Sequence, residues 1–205
     1  NVQRPTDLIG KKVAVSDGGA NQVFTTLLTS QGIDPTKVNT IPRATFGVDP
    51  LLKGDVDALV GWVINEGVQV REAGQEPSFM LMSDYGVDSY DFVLFTSDQS
   101  LKTHADTYER FIRAVLAGLK DEIASPDQAA AYIQSYAKNL DPKGQYSRLQ
   151  ASIPLLNPPN TKLGMMGDAN WAISYKILTD QKIITTPIDY KSAYTLQILN
   201  KIYGQ

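Results

Sequence analysis

Through the first half of the chain, short apolar runs bounded by turn formers alternate with amphipathic stretches. In the second half, amphipathic stretches take over. Val13-Ala14-Val15, Val38 to Ile41, Asp57-Ala58-Leu59-Val60-Gly61, Phe79 to Met82 and Phe92-Val93-Leu94-Phe95 read as strands short enough to be buried on both faces. Between them lies a helix with Val23, Phe24, Leu27 and Leu28 on one face, which Gly32 terminates in the left-handed conformation. A shorter helix over Val48 to Lys53 is stopped by Gly54, and another from about Asn65 to Glu72 is stopped by Gly74. Strands alternating with helices predict βαβ units and a parallel sheet. Beyond Thr96 the period becomes helical. Tyr108, Phe111, Ile112, Val115, Leu116, Leu119 and Ile123 form one stripe, with Thr103 and Asp106 at capping-box spacing before it. Ser125-Pro126-Asp127-Gln128 and Asp141-Pro142 read as further helix starts. After the Asn157 to Asn160 loop come a helix with Trp171, Tyr175 and Leu178, the pair Ile183-Ile184, and a closing helix with Tyr194, Ile198, Leu199 and Ile202.

The stretch from Gly54 to Gly67 carries the densest candidate chemistry. In open α/β sheets ligands bind just beyond the carboxyl ends of strands. There, Trp62 offers a flat apolar face, Asn65 an amide that donates and accepts, and Glu66 a carboxylate acceptor. Together they suit a flat, nitrogen-rich ring. The plainer alternative makes Trp62 core and Glu66 a solvated helix charge. The first strand runs into Ser16-Asp17-Gly18-Gly19-Ala20-Asn21 and then a helix. Glycine lets backbone approach a ligand, and the first helical amides are unpaired donors, so a carboxylate, sulfonate, phosphate or polar ring can dock on Gly18, Gly19, Ala20 and Asn21. The loop matches neither of the common nucleotide fingerprints, and Asp17 also fits as a helix cap. Ser83 to Tyr90, with Asp84, Tyr85 and Tyr90, is a polar, aromatic connection suited to lining a crevice.

Composition removes most enzyme chemistry. The 205 residues contain no cysteine and one histidine, His104, at a predicted exposed helix start. Thiolate nucleophiles, cysteine-built metal sites, histidine triads and multi-histidine metal centres are therefore not expected. A net charge of −3 with scattered Lys and Arg supplies no basic field for nucleic acid. No apolar run approaches the ~20 residues of a membrane span. Asn1 to Pro5 lacks the charged and apolar regions of a signal peptide.

The ordered segments DLIGKKVAVSDGG, LLKGDVDALVGWVINEG and MSDYGVDSYDFVLFTSD resemble solute-binding proteins with the NMT1/THI5-like domain. The later stretches TYERFIRAVLAGLKDEIASPDQAAAYI and DYKSAYTLQIL fit that family's C-terminal helices. The resemblance implies an α/β fold of the type II periplasmic-binding-protein kind, with two α/β lobes, a hinge and a ligand cleft. It makes Leu8 to Asp91 a complete second lobe and Phe92 to Gln205 the C-terminal, mostly helical part of the first. Family members carry further residues ahead of the equivalent of Leu8. The chain is accordingly expected to be a fragment, a proteolysed product or half of a swapped dimer.

Function follows from the same resemblance. It implies an extracytoplasmic protein, periplasmic or membrane-anchored, that delivers a small ligand to the membrane subunits of an ABC permease. The Gly61, Trp62, Asn65, Glu66 pattern and Asp84-Tyr85-Gly86 look most like the branch that carries thiamin pyrimidine precursors or flavin-type rings. Riboflavin, and the sulfonates, taurine and nitrate bound elsewhere in the family, are the alternatives. Glu66 speaks against an anion, because a facing carboxylate repels it. An enzyme of pyrimidine synthesis is the rival of another class. That class carries a cysteine-rich motif and a reactive histidine, so no catalytic residue, cofactor or metal is expected here.

Overall fold

A computed structural model describes residues 2–43, 45 and 47–205. Three strands, β1 (Lys12–Val15), β2 (Asn39–Pro42) and β3 (Ala58–Leu59), form a parallel sheet in the order β2-β1-β3. Val13 lies opposite Thr40 on one side and Ala58 on the other. As the central strand, β1 is covered on both faces, and Val13, Ala14 and Val15 are all buried. That is the setting in which a parallel strand reads as an unbroken apolar run.

The crossover from β1 to β2 is α1 (Gly19–Ser30), whose Phe24, Leu27 and Leu28 are buried against β1, Ile33 and Val38. Burying each such side chain contributes about 1.5–3 kcal/mol. Gly32 ends the helix at φ 70° as expected, and the Ile33 amide reaches back to the Leu28 carbonyl at 2.9 Å. The crossover from β2 to β3 contains α2 (Asp49–Leu52), and α3 (Val68–Glu72) follows β3. Both end where the glycines predict, with Gly54 at φ 77° and Gly74 at φ 79°.

Asp57 fastens β3 to β1. Its backbone amide donates to Lys12 O, and its carboxylate accepts from Lys12 N, both at 2.9 Å. That backbone hydrogen bond, with Lys11 nearby, holds the Asp57 carboxyl below its ordinary pKa. A folded-state pKa below the unfolded one stabilises above the unfolded value, about 4, and that stability fades as pH falls through the folded value. Asp57→Asn is therefore expected to flatten the acid limb of a pH–stability curve below about pH 4 and to leave its shape near neutrality unchanged. Chemical denaturation at stepped pH measures it.

The chain divides into two compact units. One comprises residues 1–89 and 172–187, the other 90–171 and 188–205. The sequence division lies between Asp91 and Phe92. In the first unit Ile177 joins the core built on β1 and α1, and the Gln181 side-chain amide donates to Thr26 Oγ1 at 2.7 Å. The second unit is helical: α4 (Asp98–Thr103), α5 (Ala105–Ala124), α6 (Pro126–Tyr136), α7 (Pro142–Leu156), the start of α8 (Asp168–Asp180) and α9 (Gln197–Tyr203). Its core is Leu116, Leu163 and Leu199, with Ile112, Leu119 and Ile202 packed around them. No helix among the described residues is long and apolar enough to cross a membrane.

Three local expectations are corrected. Thr103 and Asp106 do not form a capping box. A separate short helix, α4, is capped by Ser97 and ends at His104, which then begins α5. Thr103 Oγ1 instead donates back to Gln99 O at 3.0 Å. Phe79 to Met82 is not a strand. The Phe79 ring lies over Gly67, where an added Cβ would come within 2.7 Å of it, and under the Arg71 guanidinium at 5.4 Å. Phe92 to Phe95 is not a strand either, and its terminal phenylalanines are 85% and 94% exposed. An apolar run becomes a strand only when a sheet edge offers it a ladder, and these two find none among the described residues.

Candidate functional site

The carboxyl ends of β1, β2 and β3 deliver three neighbouring loops. The β3 backbone continues beyond the strand, with the Val60 amide donating to Ala14 O at 2.8 Å. Trp62 is still extended (φ −105°, ψ 135°), and a single π-helical turn, Val63–Gly67, then leads into α3. In that turn the amides of Asn65 and Gly67 both converge on the Trp62 carbonyl, at 3.0 and 3.3 Å. Such wide turns recur at functional sites because they project one extra residue from a helix.

Glu66 is the buried charged residue of this turn. Its side chain and that of Arg43 are 5% and 4% exposed, and Arg43 Nη2 meets Glu66 Oε1 at 2.6 Å. Glu66 Oε1 also accepts from Asn65 Nδ2 at 3.3 Å, and Oε2 accepts from the Trp62 amide at 2.8 Å. The carboxylate folds back over Gly61, where a Cβ would lie 2.8 Å from Oε2, so only glycine leaves room for it. Gly61→Ala is thus expected to push Glu66 off Arg43 and cost about 1–3 kcal/mol, the usual overpacking range, as a lowered denaturant midpoint would register.

Arg43 does more than pair with Glu66. Its amide extends the β1–β2 ladder by donating to Val15 O at 3.0 Å. Its guanidinium donates to the carbonyls of Thr45 (2.9 Å) and Val60 (3.2 Å) and reaches Gly47 O at 3.5 Å. One planar donor fork therefore ties the loop after β2 to the loop after β3. Sequence reasoning missed Arg43, which lies 23 residues from Glu66. The available signal was its position immediately after β2, at the sheet end where a buried carboxylate needs a cation.

Trp62 remains 37% exposed, although its amide and the acid beside it are held inside. It lines a groove of about 490 Å³ beside β3, one of the two edge strands of the sheet. Leu51, Leu52, Leu59 and Phe79 to Leu81 line it together with Glu66, and Lys11 and Asp57 are among its polar residues. A mainly apolar groove of that size with a few polar groups suits a small organic ligand.

The remaining predicted residues fall into separate places. Gly18, at φ 78°, is the N-cap of α1 and no side chain caps the helix, so Asp17 does not take that role. Gln22 is the first amide of the helix to find a carbonyl behind it, Gly18 O at 3.1 Å, leaving those of Gly19, Ala20 and Asn21 as donors at the sheet end shared with Trp62. Asn65 lies beside Glu66 and accepts from Gln69 Nε2 at 3.1 Å. Asp84 and Tyr85 do not join this group. They belong to a short 3-10 turn, Met82–Tyr85, and the Tyr85 carbonyl accepts from the Gln31 side chain, at the opposite end of α1 from Gly18. A 12-residue helix separates those ends by roughly 18 Å. Tyr90 belongs to the other unit. Its hydroxyl accepts from Gly167 N at 2.6 Å, its ring lies 6.1 Å from Trp171, and Trp171 stacks on Tyr194 at 5.0 Å.

Comparison with known proteins places this architecture. Residues 1–129 match the family model described as NMT1/THI5 like. The chain belongs to that family. Among curated NMT1/THI5-like relatives, it is 25% identical over 152 residues to the riboflavin-binding protein RibY of Chloroflexus aurantiacus, covering 71% of this chain and 43% of that protein. It is 28% identical over 128 residues to the formylaminopyrimidine-binding protein of Halalkalibacterium halodurans, covering 61% and 39%. The chain thus spans less than half the length of these relatives. A solved structure, the periplasmic aliphatic sulphonate binding protein SsuA of Escherichia coli, superposes with a TM-score of 0.63 at 16% identity, over 93% of this chain and 60% of SsuA. The periplasmic-binding-protein fold is therefore shared, and these relatives are binding proteins by name.

Proposed function

We propose that this chain is part of an extracytoplasmic solute-binding protein that holds a flat nitrogenous heterocycle, of the thiamin-precursor pyrimidine or flavin kind, against Trp62 and presents it to an ABC permease. The observation that carries this reading is the part-exposed indole lining a ligand-sized groove, its backbone held by a buried ion pair. The names of the two curated relatives, a riboflavin binder and a formylaminopyrimidine binder, support the ligand class. The role is binding rather than catalysis, and any closure around the ligand draws on its stronger contacts in the closed state.

One observation favours a second reading. Glu66 is paired with Arg43, so its charge no longer stands against an anion near the Gly19 to Asn21 amides. A thermal-shift panel of a formylaminopyrimidine, hydroxymethylpyrimidine, riboflavin, taurine and nitrate separates the two. A ligand at 100 times its dissociation constant stabilises by about 2.7 kcal/mol. The heterocycles are expected to raise the midpoint. Stabilisation by taurine or nitrate alone transfers the assignment to the anion class.

A further inference from the structure

We propose that Arg43 and Glu66 act as a positioning pair: they fix Trp62 for the ligand without touching it, and the ligand meets no net charge from them. This inference rests on the reading of Trp62 as the ligand platform and adds to it the device that sets the platform's place and the charge it presents. Three observations meet here. Both side chains are almost fully buried, and although Glu66 contributes to the groove lining, its carboxylate oxygens are taken up by Arg43, Asn65 and the Trp62 amide. Glu66 spends one oxygen on Arg43 and Asn65 and the other on the Trp62 amide. Arg43 gathers carbonyls from the loops that follow β2 and β3. A buried acid with a bonded cation 2.6 Å away serves the frame rather than ligand nitrogens. The pair cancels its own charge, which leaves selectivity to shape, stacking and neutral hydrogen bonds.

The test compares Glu66→Gln, Arg43→Gln and the double variant Arg43→Gln/Glu66→Gln in the full chain, with riboflavin and a formylaminopyrimidine as probes. Each single change strands one buried charge, whereas the double change removes both and keeps an acceptor for the Trp62 amide. Each single variant is expected to bind at least 10-fold more weakly than the natural protein, and the double to recover to within about 5-fold. A double variant as weak as Glu66→Gln alone would mean that the Glu66 charge itself meets the ligand, and singles with unchanged affinity would mean that the pair positions nothing. Either result overturns the proposal.

A ligand-free readout separates this from the binding reading. The chain has two tryptophans, so 5-fluorotryptophan labelling gives two ¹⁹F resonances, assigned with a Trp171→Phe sample. The Trp62 resonance is expected to move or broaden in both single variants and to return in the double. If the natural protein binds no probe, the function reading fails while this resonance still decides the positioning role. An unmoved Trp62 signal in the singles refutes that role. Should Arg43→Gln not fold, Glu66→Gln and the double variant alone decide the outcome, since that pair still contrasts one stranded charge with none.

Discussion

Arg43→Met is expected to lower the stability of the chain by about 3–5 kcal/mol, the range for breaking a buried pair by removing one partner. Loss of the guanidinium leaves the buried Glu66 carboxylate with Asn65 and the Trp62 amide as its remaining partners among the described residues. The carbonyls of Thr45 and Val60 lose their donor at the same stroke. Against a typical total of 5–15 kcal/mol, a loss of this size removes a large part of the protein's margin. Urea unfolding measures it as a shift in midpoint, and Arg43→Met/Glu66→Leu is expected to recover most of the loss because no charge remains to be buried unpaired. A fall below 1 kcal/mol for the single change would mean that water reaches the pair and that the frame does not depend on it.

Trp62→Ala is expected to act on the ligand and barely on the fold. The residue is 37% exposed, so its removal leaves no closed cavity. As the flat face of the groove it should carry about 2 kcal/mol of binding, roughly a 30-fold loss of affinity. Trp62→Phe keeps a smaller aromatic face and should fall between the two. Calorimetric titration of riboflavin, alongside a thermal melt of each variant, separates lost affinity from lost structure.

The periodic part of the fold was legible in the sequence. Val13 to Val15 as a short buried strand, Leu27 and Leu28 on the inner face of α1, and the stops at Gly32, Gly54 and Gly74 all follow from local pattern and glycine conformation. Phe79 to Met82 and Phe92 to Phe95 were not legible, because a strand needs a partner edge that apolar character cannot supply. The site divided in the same way. Proximity of Trp62, Asn65 and Glu66 was implied by their spacing along one turn, but the direction in which Glu66 faces was not. Its partner comes from another strand end, so the bond from Glu66 to a buried guanidinium could not be read from the local spacing. Asp84 and Tyr85 are near Trp62 in number, yet the chain turns them towards the far end of α1.

The most direct measurement is a titration of the ¹⁹F-tryptophan chain with riboflavin and with a formylaminopyrimidine, following both indole resonances. A saturable shift of Trp62 is expected, from the ring current of a stacked heterocycle, with an affinity that Trp62→Ala reduces. Saturable binding that leaves the Trp62 resonance where it stood, or that survives Trp62→Ala undiminished, would contradict that expectation.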